Sequence, residues 1–542
     1  MPKLRLTSGT FSTVTKNISR ASTALLSAAL CALCILPARA QTVTLPQVLS
    51  LRSAALAALH VHAPKSLQID GVLTGAGLEG VYHSRQSGDD SRYEEIFGVR
   101  EETSLRIGDR QYVINQSGNV RELNGLLLRR QRTQDFIDSE RFVSQPQYDT
   151  FDGQKTLPDG RPAYQIGVAP PDGQPETIDL DTKTLMIDRI SYDDQDGTST
   201  EDFYDYKTFA GVLAAMREID SNGDRDYDIE RYVQKLLVDR PIAPSVFALP
   251  KSTEISADKP VTVPLTERQG HYYATVRVGT RDYTFLVDTG AQAVVLDSRV
   301  AQEQGLQPVG HLEVSGAQRT GGMGVAKLDA VKIGGATLPV HVVTVLDLRG
   351  ATGNFDADGV LGYPFFASAE VKIDPVADTM TFAKPGMLHA PGEAIPVDGD
   401  RQLIEVQGNV NGAGGRFVID TGNSTELLLF DPFMRSHPYL VQFGQRRFAN
   451  DYGVGGAARA VSAMIDELDV GNYRLFNRYA SLMLTRQGAF ADRFDAGNIG
   501  MGVLRNFVMT FDLANSHMYL QQSSAFDDGR YRTARTDQVQ VP

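Results

Sequence analysis

Two short stretches of the chain place a carboxylate and a hydroxyl directly after an apolar run. Asp288-Thr289-Gly290 follows "YTFLV", and Asp420-Thr421-Gly422 follows "GRFVI", 132 positions later. An aspartate at the end of an apolar strand is costly to ionise, because desolvation disfavours the charged form of a carboxyl group. Two such aspartates brought into contact would share one proton, since two like charges that close do not both persist.

A carboxyl pair that shares one proton can hydrolyse an amide with water alone. The ionised carboxylate takes a proton from a water held between the two groups, and the neutral carboxyl donates a hydrogen bond to the substrate carbonyl. This chemistry needs no nucleophilic side chain, metal ion or cofactor. We therefore predict that Asp288 and Asp420 are catalytic and that the protein uses no cofactor.

The residues around each aspartate have roles that follow from their size and hydrogen-bonding groups. A glycine after the threonine lets the backbone turn sharply and brings its amide close to the carboxylate. The threonine hydroxyl can bond to the opposite copy of the motif and lock the two loops together. A later glycine, in "VLG" or "NIG", leaves room for a strand to pass behind each loop. The predicted supporting residues are Thr289, Gly290, Gly362, Thr421, Gly422 and Gly500.

The chain around each motif forms an internal repeat over residues 251–389 and 390–525. Each copy begins with short alternating strands, carries one Asp-Thr-Gly, and continues through a Gly-rich stretch to the late glycine and a strand ending in Asp. Landmarks in one order at nearly one spacing indicate a repeated unit. The Gly-rich stretches suit mobile flaps, since a flap must bend and close over a substrate. The predicted flap residues are Gly321, Gly322, Gly455 and Gly456.

These motifs resemble the aspartic peptidase family, in its bacterial retropepsin-like branch, over about 270 residues. The apolar lead to Asp-Thr-Gly, the Gly-rich flap and the late glycine all occur twice, as in a chain with two fused lobes. The resemblance implies a two-lobed β fold with one cleft, a polypeptide substrate, and flap tips near the glycine pairs named above. It places the catalytic aspartates and cross-linking threonines at Asp288, Asp420, Thr289 and Thr421.

The chain departs from the family pattern after each glycine of the two motifs. The family often has Ser or Thr two places later, whereas the first copy has Gln292. The second copy keeps Ser424 but places Asn423 directly after its glycine. A hydroxyl that would tune the first aspartate is therefore absent. This leaves open how the two aspartates divide their proton, and with it the pH optimum.

Residues 41–250 form a different unit. An early helical stretch, "PQVLSLRSAALAALH", precedes alternating strands separated by Ser-Gly, Asn-Gly and Asp-Gly turns, which are typical of β-hairpins. This unit resembles the half-barrel of periplasmic lipoprotein-carrier proteins. The resemblance rests on the early helix and on the stretches "DRQYVINQSGNVREL" and "VFALP".

The predicted fold class of the chain is mostly β: a two-lobed aspartic peptidase fold of tandem repeats, preceded by an α+β antiparallel half-barrel. A Pro-rich linker joins them, so we expect residues 251–525 to fold and cleave alone.

A different class of function remains open for the same sequence. The chain could be a periplasmic binding or carrier protein that acts through residues 41–250 and keeps a catalytically silent peptidase fold. An apolar cavity in that unit, without peptide cleavage by the pure protein, would favour the carrier. Both aspartates of the motif pair are present, which favours the peptidase.

The first 40 residues have the composition of an export signal. They carry five basic residues and no acidic one, then the apolar segment "ALLSAALCALCILP" and the cleavage motif Ala38-Arg39-Ala40. A membrane anchor is the alternative, but the apolar segment is short and ends at Pro37. We predict a signal peptide over residues 1–40 and a periplasmic or secreted protein.

The charge and composition of the chain limit the kinds of partner that we expect it to bind. The formal net charge is −13, and it becomes more negative once the basic signal is removed, which argues against nucleic acid or an anionic membrane as partner. Both cysteines, Cys31 and Cys34, lie in the signal, so the mature chain would have no disulfide. The histidines form no metal-binding pattern. We expect a monomer without a metal site or integral membrane segment, ending in a flexible tail over residues 526–542.

Overall fold

The structure is a computed structural model, and it is mostly β, as the sequence predicts. It describes residues 43–195, 197–316, 319–349, 356–440, 447–453 and 456–530. The predicted signal peptide therefore lies outside the described residues. The predicted tail is described only to residue 530, and there the Asp528 carbonyl accepts a hydrogen bond from the Phe476 N–H at 2.6 Å. Within these ranges no helix is both long enough and apolar enough to cross a membrane.

The N-terminal part of the chain forms one large antiparallel sheet, here called the N-terminal sheet. In strands such as Asp90–Phe97 and Ile187–Asp193 every second residue is buried, so one face of the strand lies against the core. Thirteen described strands belong to it: β1 (Ser66–Gly75), β2 (Leu78–Ser87), β3 (Asp90–Phe97), β4 (Arg100–Ile107), β5 (Arg110–Ile114), β6 (Val120–Glu122), β7 (Asp149–Thr156), β8 (Pro162–Val168), β9 (Glu176–Asp181), β10 (Ile187–Asp193), β11 (Thr198–Tyr204), β14 (Arg217–Ser221) and β15 (Ile229–Val238). Their spatial order is β6-β5-β4-β3-β2-β1-β15-β14-β11-β10-β9-β8-β7. A separate hairpin pairs β12 (Lys207–Phe209) with β13 (Val212–Ala214).

Helices pack on one half of this sheet. The predicted early helix is α1 (Leu45–Ala58), and its Val48 and Leu49 join a core with Phe136, Phe142 and sheet residues. The sequence did not predict α2 (Gly125–Asp138) or α3 (Arg141–Ser144).

Short 3-10 helices occur along the described chain. They lie at Pro146–Tyr148, Arg225–Tyr227, Pro244–Phe247, Ala489–Ala491 and Leu513–Asn515.

The first repeat builds a second sheet. Its elements are β16 (Val261–Pro264), β17 (Thr266–Arg268), β18 (His271–Val278), β19 (Arg281–Val287), β20 (Val295–Asp297), α4 (Ser298–Glu303), β21 (Val309–Ser315), β22 (Arg319–Ile333), β23 (Ala336–Leu346), β24 (Gly359–Leu361), α5 (Tyr363–Ser368), β25 (Glu370–Asp374) and β26 (Thr379–Ala383). Eight of these described strands pair in the order β17-β18-β19-β24-β20-β23-β22-β21.

The second repeat has the same topology. Its elements are β27 (Ala394–Pro396), β28 (Glu405–Val410), β29 (Ala413–Asp420), β30 (Leu427–Leu429), α6 (Asp431–Ser436), β31 (Arg447–Gly453), β32 (Gly456–Val470), β33 (Tyr473–Met483), β34 (Gly497–Gly500), α7 (Met501–Leu504), β35 (Phe507–Asp512) and β36 (His517–Gln522). The described strands pair in the order β28-β29-β34-β30-β33-β32-β31, strand for strand the order of the first repeat from β18 onward. Each sheet has one further matching pairing, of β18 with the long β22 in the first repeat and of β28 with the long β32 in the second.

The two repeats are joined by a further sheet to which both contribute. Its described order is β16-β26-β25-β35-β36-β27, so three strands of each repeat meet where β25 pairs with β35. One continuous apolar core runs through both repeats and this sheet, and it includes Phe366 and Phe511 in edge-to-face contact at 5.3 Å between ring centroids. This sheet sets how the two repeats face each other, and with it the distance between their Asp-Thr-Gly loops.

The first repeat also shares a core with the N-terminal sheet. Leu312, Met323 and Val325, on the β21–β22 hairpin, are buried against residues of the N-terminal sheet such as Leu73 and Leu78. The His311 N–H donates to the Ala76 carbonyl at 2.9 Å at the same contact. The predicted linker is also attached to this part of the molecule: its Phe247 packs on Leu105 and Tyr112.

Candidate functional site

Each Asp-Thr-Gly loop begins where a buried strand ends beside a parallel neighbour. In the first repeat β19 pairs in parallel with β24, and the Asp288 N–H donates to the Leu361 carbonyl at 3.0 Å. In the second, β29 pairs in parallel with β34, with Asp420 opposite Gly500. The apolar residues that precede each aspartate are at most 5% exposed. The strand ends therefore hold both aspartates in fixed positions.

The two loops face each other with their glycines against the opposite carboxyl group. A Cβ added to Gly290 would lie 2.6 Å from Asp420 Cγ, and one added to Gly422 would lie 2.3 Å from Asp288 Cγ. No side chain larger than hydrogen fits at either position without displacing a carboxylate. Each glycine N–H also donates to Oδ1 of its own aspartate at 2.8 Å. The structure thus brings Asp288 and Asp420 together in one site.

The threonines of the two loops bond to each other across the pair. The Thr289 N–H donates to Thr421 Oγ1 at 3.0 Å, and the Thr421 N–H donates to Thr289 Oγ1 at 2.9 Å. Each hydroxyl then donates to a carbonyl of the opposite strand, Thr289 to Ile419 at 2.6 Å and Thr421 to Val287 at 2.8 Å. Both threonine side chains are buried, so these bonds are shielded from water and fix the spacing of the two loops.

The late glycines, Gly362 and Gly500, lie behind the loops. A Cβ on Gly362 would lie 2.2 Å from the Ala293 carbonyl oxygen, and one on Gly500 would lie 2.4 Å from the Thr425 carbonyl oxygen. Both contacts are with backbone atoms that cannot move without moving the loop. The two glycines are therefore equivalent packing positions in the two repeats.

The electrostatics of the pair favour a single shared proton. Burial raises the pKa of Asp288 well above its ordinary value, and the charge of Asp420 and a hydrogen bond between the two carboxyl groups add to the rise. The Gly290 and Gly422 N–H groups act in the opposite direction. His271 at the start of β18 bonds to the Gly422 backbone beside Asp420, and burial lowers the pKa of its imidazole.

A side chain that the sequence reasoning did not select also contacts the pair. The Asn498 side-chain amide donates to Asp420 Oδ2 from the neighbouring strand β34. In the first repeat the matching position is Val360, because Leu286 pairs with Val360 as Val418 pairs with Asn498. The difference between "VLG" and "NIG" in the sequence is the signal that could have found it.

Gln292, which departs from the family pattern, and Ser424, which keeps it, both contact segments outside their own loops. Gln292 Nε2 donates to the Arg401 carbonyl at 2.6 Å, which ties the first loop to the second repeat, between its strands β27 and β28. Ser424 lies against the β17–β18 turn, since a Cβ on Gly270 would come within 2.9 Å of Ser424 Cβ. These positions connect the two repeats around the site.

The predicted flap of the first repeat is the hairpin β21–β22. Ser315 pairs with Arg319 next to its turn, so Gly321 and Gly322 lie within β22, past the turn. Gly322 has φ 103° and open space around it. The turn itself reaches the second repeat, where the Ala489 N–H donates to the Gly316 carbonyl at 2.8 Å. This hairpin is therefore held at its turn as well as along its strands.

The predicted flap of the second repeat is the hairpin β31–β32. Gly453 pairs with Gly456, which places Gly456 at the turn, while Gly455 lies outside the described residues. Phe448 on β31 is 71% exposed, in contrast to the buried Leu312 of the first hairpin. The two hairpins have the same topology but different surroundings.

The arrangement can hold a water between two carboxyl groups and transfer protons to and from it. Among the described residues, no group of three or more His, Cys, Asp or Glu side chains is placed to hold a metal ion. The donors that surround the pair are amides and hydroxyls, which suit a carboxylate rather than a cation.

Comparisons with known proteins agree with part of this description. Two solved structures are similar to part of the chain: a putative outer membrane lipoprotein-sorting protein domain from Vibrio parahaemolyticus and a DUF1329 family protein from Desulfovibrio piger ATCC 29098. They are 12% and 13% identical, cover 37% of this chain and 95% and 97% of their own, and both have a TM-score of 0.27. No curated protein matches. Residues 274–365, which contain Asp288, Thr289, Gly290 and Gly362, match a family model described as aspartyl protease.

Proposed function

We propose that this protein is an exported aspartic endopeptidase with two fused retropepsin-like lobes, in which Asp288 and Asp420 form one catalytic pair. The observation that carries the proposal is the reciprocal approach of the two loops, each glycine lying against the opposite carboxyl group. The aspartyl protease match over residues 274–365 supports it for the first lobe. The identical strand order of the second repeat supports the extension to a second lobe.

The reaction is direct attack of water on a peptide carbonyl. The ionised carboxylate takes a proton from the water as its oxygen bonds to the carbonyl carbon, and the neutral carboxyl donates a proton to the carbonyl oxygen. The tetrahedral intermediate then collapses: the C–N bond breaks, and the leaving nitrogen receives a proton from the first carboxyl group. The second carboxylate regains its proton from the intermediate's hydroxyl, so the pair returns to its starting state.

The direct test is digestion of an unfolded protein. Purified protein is incubated with a denatured, reduced protein library over a series of pH values, with and without pepstatin, and new peptide termini are identified by mass spectrometry. We expect internal cleavage that pepstatin suppresses. Absence of cleavage at every pH would contradict the proposal.

The same series tests a pH dependence. Burial and the Asp420 charge raise the pKa of Asp288, so the pair keeps its shared proton above the range in which a free aspartate loses it. Activity requires this one-proton state. It is therefore expected to be present in mildly acidic solution and to fall as the pH rises through the raised pKa of Asp288, where both carboxyl groups become ionised. A rate that keeps rising toward pH 9 would rule out the mechanism.

A methyl group added at Gly422 should disturb the pair. In Gly422→Ala the new Cβ would lie 2.3 Å from Asp288 Cγ, so the carboxyl group must shift. We expect roughly a 100-fold loss of kcat/KM, as for about 1 Å of misplacement, and about 1–3 kcal/mol of destabilisation from overpacking. The control is Gly414→Ala in β29, the strand that leads into this loop, where the nearest atom is 4.0 Å away and neither quantity should change.

The proposal also covers where the protein is located and its oligomeric state. Export rests on the predicted signal over residues 1–40, and a polypeptide substrate rests on the resemblance of the motifs. A monomer is proposed because both aspartates of the pair are in one chain. N-terminal sequencing of the secreted protein and light scattering of the pure protein test these points.

The carrier function is a second candidate because the N-terminal part of the protein contains a cavity. A space of about 420 Å³ lies between the helices and the N-terminal sheet, and its walls include Leu56, Val61, Ile69, Ile137 and Ile190. This is the size range of small-ligand pockets. Saturable binding of an apolar fluorescent probe by the pure protein, together with no cleavage of any unfolded substrate, would favour the carrier over the peptidase.

A further inference from the structure

The two aspartates of the pair have different hydrogen-bond partners. Oδ1 of each accepts from the glycine N–H of its own loop at 2.8 Å. Asp420 Oδ2 in addition accepts from the side-chain amide of Asn498. The first repeat has the apolar Val360 at the matching position of its own strand. A site that the backbone makes nearly symmetric therefore carries one asymmetric polar group.

The direction of the Asn498 amide is set by a chain of hydrogen bonds. The Thr425 backbone N–H, which can only donate, lies 2.9 Å from Asn423 Oδ1. Asn423 therefore points its Nδ2 toward Asn498 Oδ1, at 3.0 Å. Asn498 must then point its own Nδ2 at Asp420. The chain leaves Asn498 as a donor to Asp420 and excludes the flipped amide.

We propose that Asn498 is a positioning residue that keeps the negative charge of the pair on Asp420 and its proton on Asp288. An amide N–H stabilises an ionised oxygen, and it cannot accept a hydrogen bond from a protonated one. Asp420 would then be the base that takes the proton from water, and Asp288 the acid that donates to the substrate carbonyl. This assignment of roles rests on the proposed peptidase function.

The titratable groups around the pair agree with this assignment, whereas the Gly290 and Gly422 N–H groups lower the pKa of Asp288 and act against it. Among the described residues, Asp288 and His271 are titratable groups that interact with Asp420. Burial and the Asp420 charge raise the pKa of Asp288, which favours its protonated form. Burial lowers the pKa of His271, which disfavours a positively charged imidazole beside Asp420.

The test compares the wild-type chain with Asn498→Val, which copies the Val360 of the first repeat. Loss of the donor destabilises every state in which Asp420 is ionised relative to the doubly protonated pair. We expect the acid limb of the kcat/KM profile for a peptide substrate to move up by about one to two pH units, the size expected for a hydrogen bond to a charged group. The alkaline limb should move less, because Asp420 is ionised on both sides of it. A merely structural role would lower the rate at all pH values and leave the acid limb in place, which would overturn the proposal.

A second measurement does not depend on activity. In protein labelled with 13C at the aspartate Cγ, with Asp288→Asn and Asp420→Asn used to assign the signals, the wild type should show Asp288 protonated and Asp420 ionised at mildly acidic pH. In Asn498→Val the signals of Asp288 and Asp420 should become more alike, because the proton is shared more evenly. If Asn498→Val does not fold, Asn423→Ala, which releases the Asn498 amide, should show a smaller change in the same direction. An evenly shared proton in the wild type overturns the inference, even if the enzyme is active. If the protein is inactive but shows the expected signals, the inference about Asn498 holds and the proposed peptidase function is refuted.

Discussion

Asp288→Asn and Asp420→Asn are each expected to lose about 1,000-fold or more of the activity on unfolded protein. Either change removes one of the two carboxyl groups that transfer protons in the reaction, and a single general acid or base is worth about 10²–10⁴-fold. The loss should not come from unfolding, because asparagine has the shape of aspartate and the pKa of Asp288 is already raised toward a neutral side chain. Initial rates and circular dichroism of the pure variants measure the two effects separately.

Mixing the two variants distinguishes one shared site from two separate ones. In a single chain with one pair, neither variant carries both carboxyl groups, so an equimolar mixture should stay inactive. If Asp288 instead paired with Asp288 of a second chain, Asp420→Asn would keep a complete site and remain active. The control is Asp282→Asn in β19, the strand that ends just before Asp288. Its half-exposed carboxylate forms an ion pair with Arg277 on the surface, so full activity is expected.

A chain that begins at residue 251 is expected to be insoluble or inactive, contrary to what the linker composition predicts. Removing the N-terminal sheet would expose Leu312, Met323, Val325 and Val342, each now at most 4% exposed. Burial of an apolar side chain of this size contributes roughly 1.5–3 kcal/mol. The buried ion pair of Arg121 with Asp400, 2.8 Å apart, would also be lost. Expression, thermal unfolding and activity of the fragment measure the outcome.

A point variant tests the same contact in the full chain. Leu312→Asp places a carboxylate in the core between the first hairpin and the N-terminal sheet, and we expect more than about 3 kcal/mol of destabilisation. The matched control is Phe448→Asp on the hairpin of the second repeat, where the side chain is 71% exposed and little change is expected. A soluble, active fragment from residue 251, with Leu312→Asp as stable as the wild type, would show that the N-terminal sheet is dispensable.

The residues of the pair could be predicted because their signals are local and occur twice. An apolar run before Asp-Thr-Gly marks a strand end in each repeat, and the late glycine marks the strand behind it. The structure places Asp288 and Asp420 face to face with their threonines bonded across. The helix α1 and the hairpins of the N-terminal sheet were also predictable, because periodicity and turn residues are read within a few positions.

Three features depend on residues far apart in sequence, and only the tertiary structure decided them. The helix α2 has no side-chain cap of its own, and the Asp400 carboxylate, more than 270 positions away, accepts from its first backbone N–H groups. The Asn498 amide reaches Asp420 only because β34 lies beside β29. The first hairpin is buried only because the N-terminal sheet packs on it.

The sequence alone determined which residues form the pair, since strand ends and tight turns are local. Packing between units decided which aspartate receives the extra donor and which hairpin is held, because a contact between distant segments leaves no periodic pattern in either one.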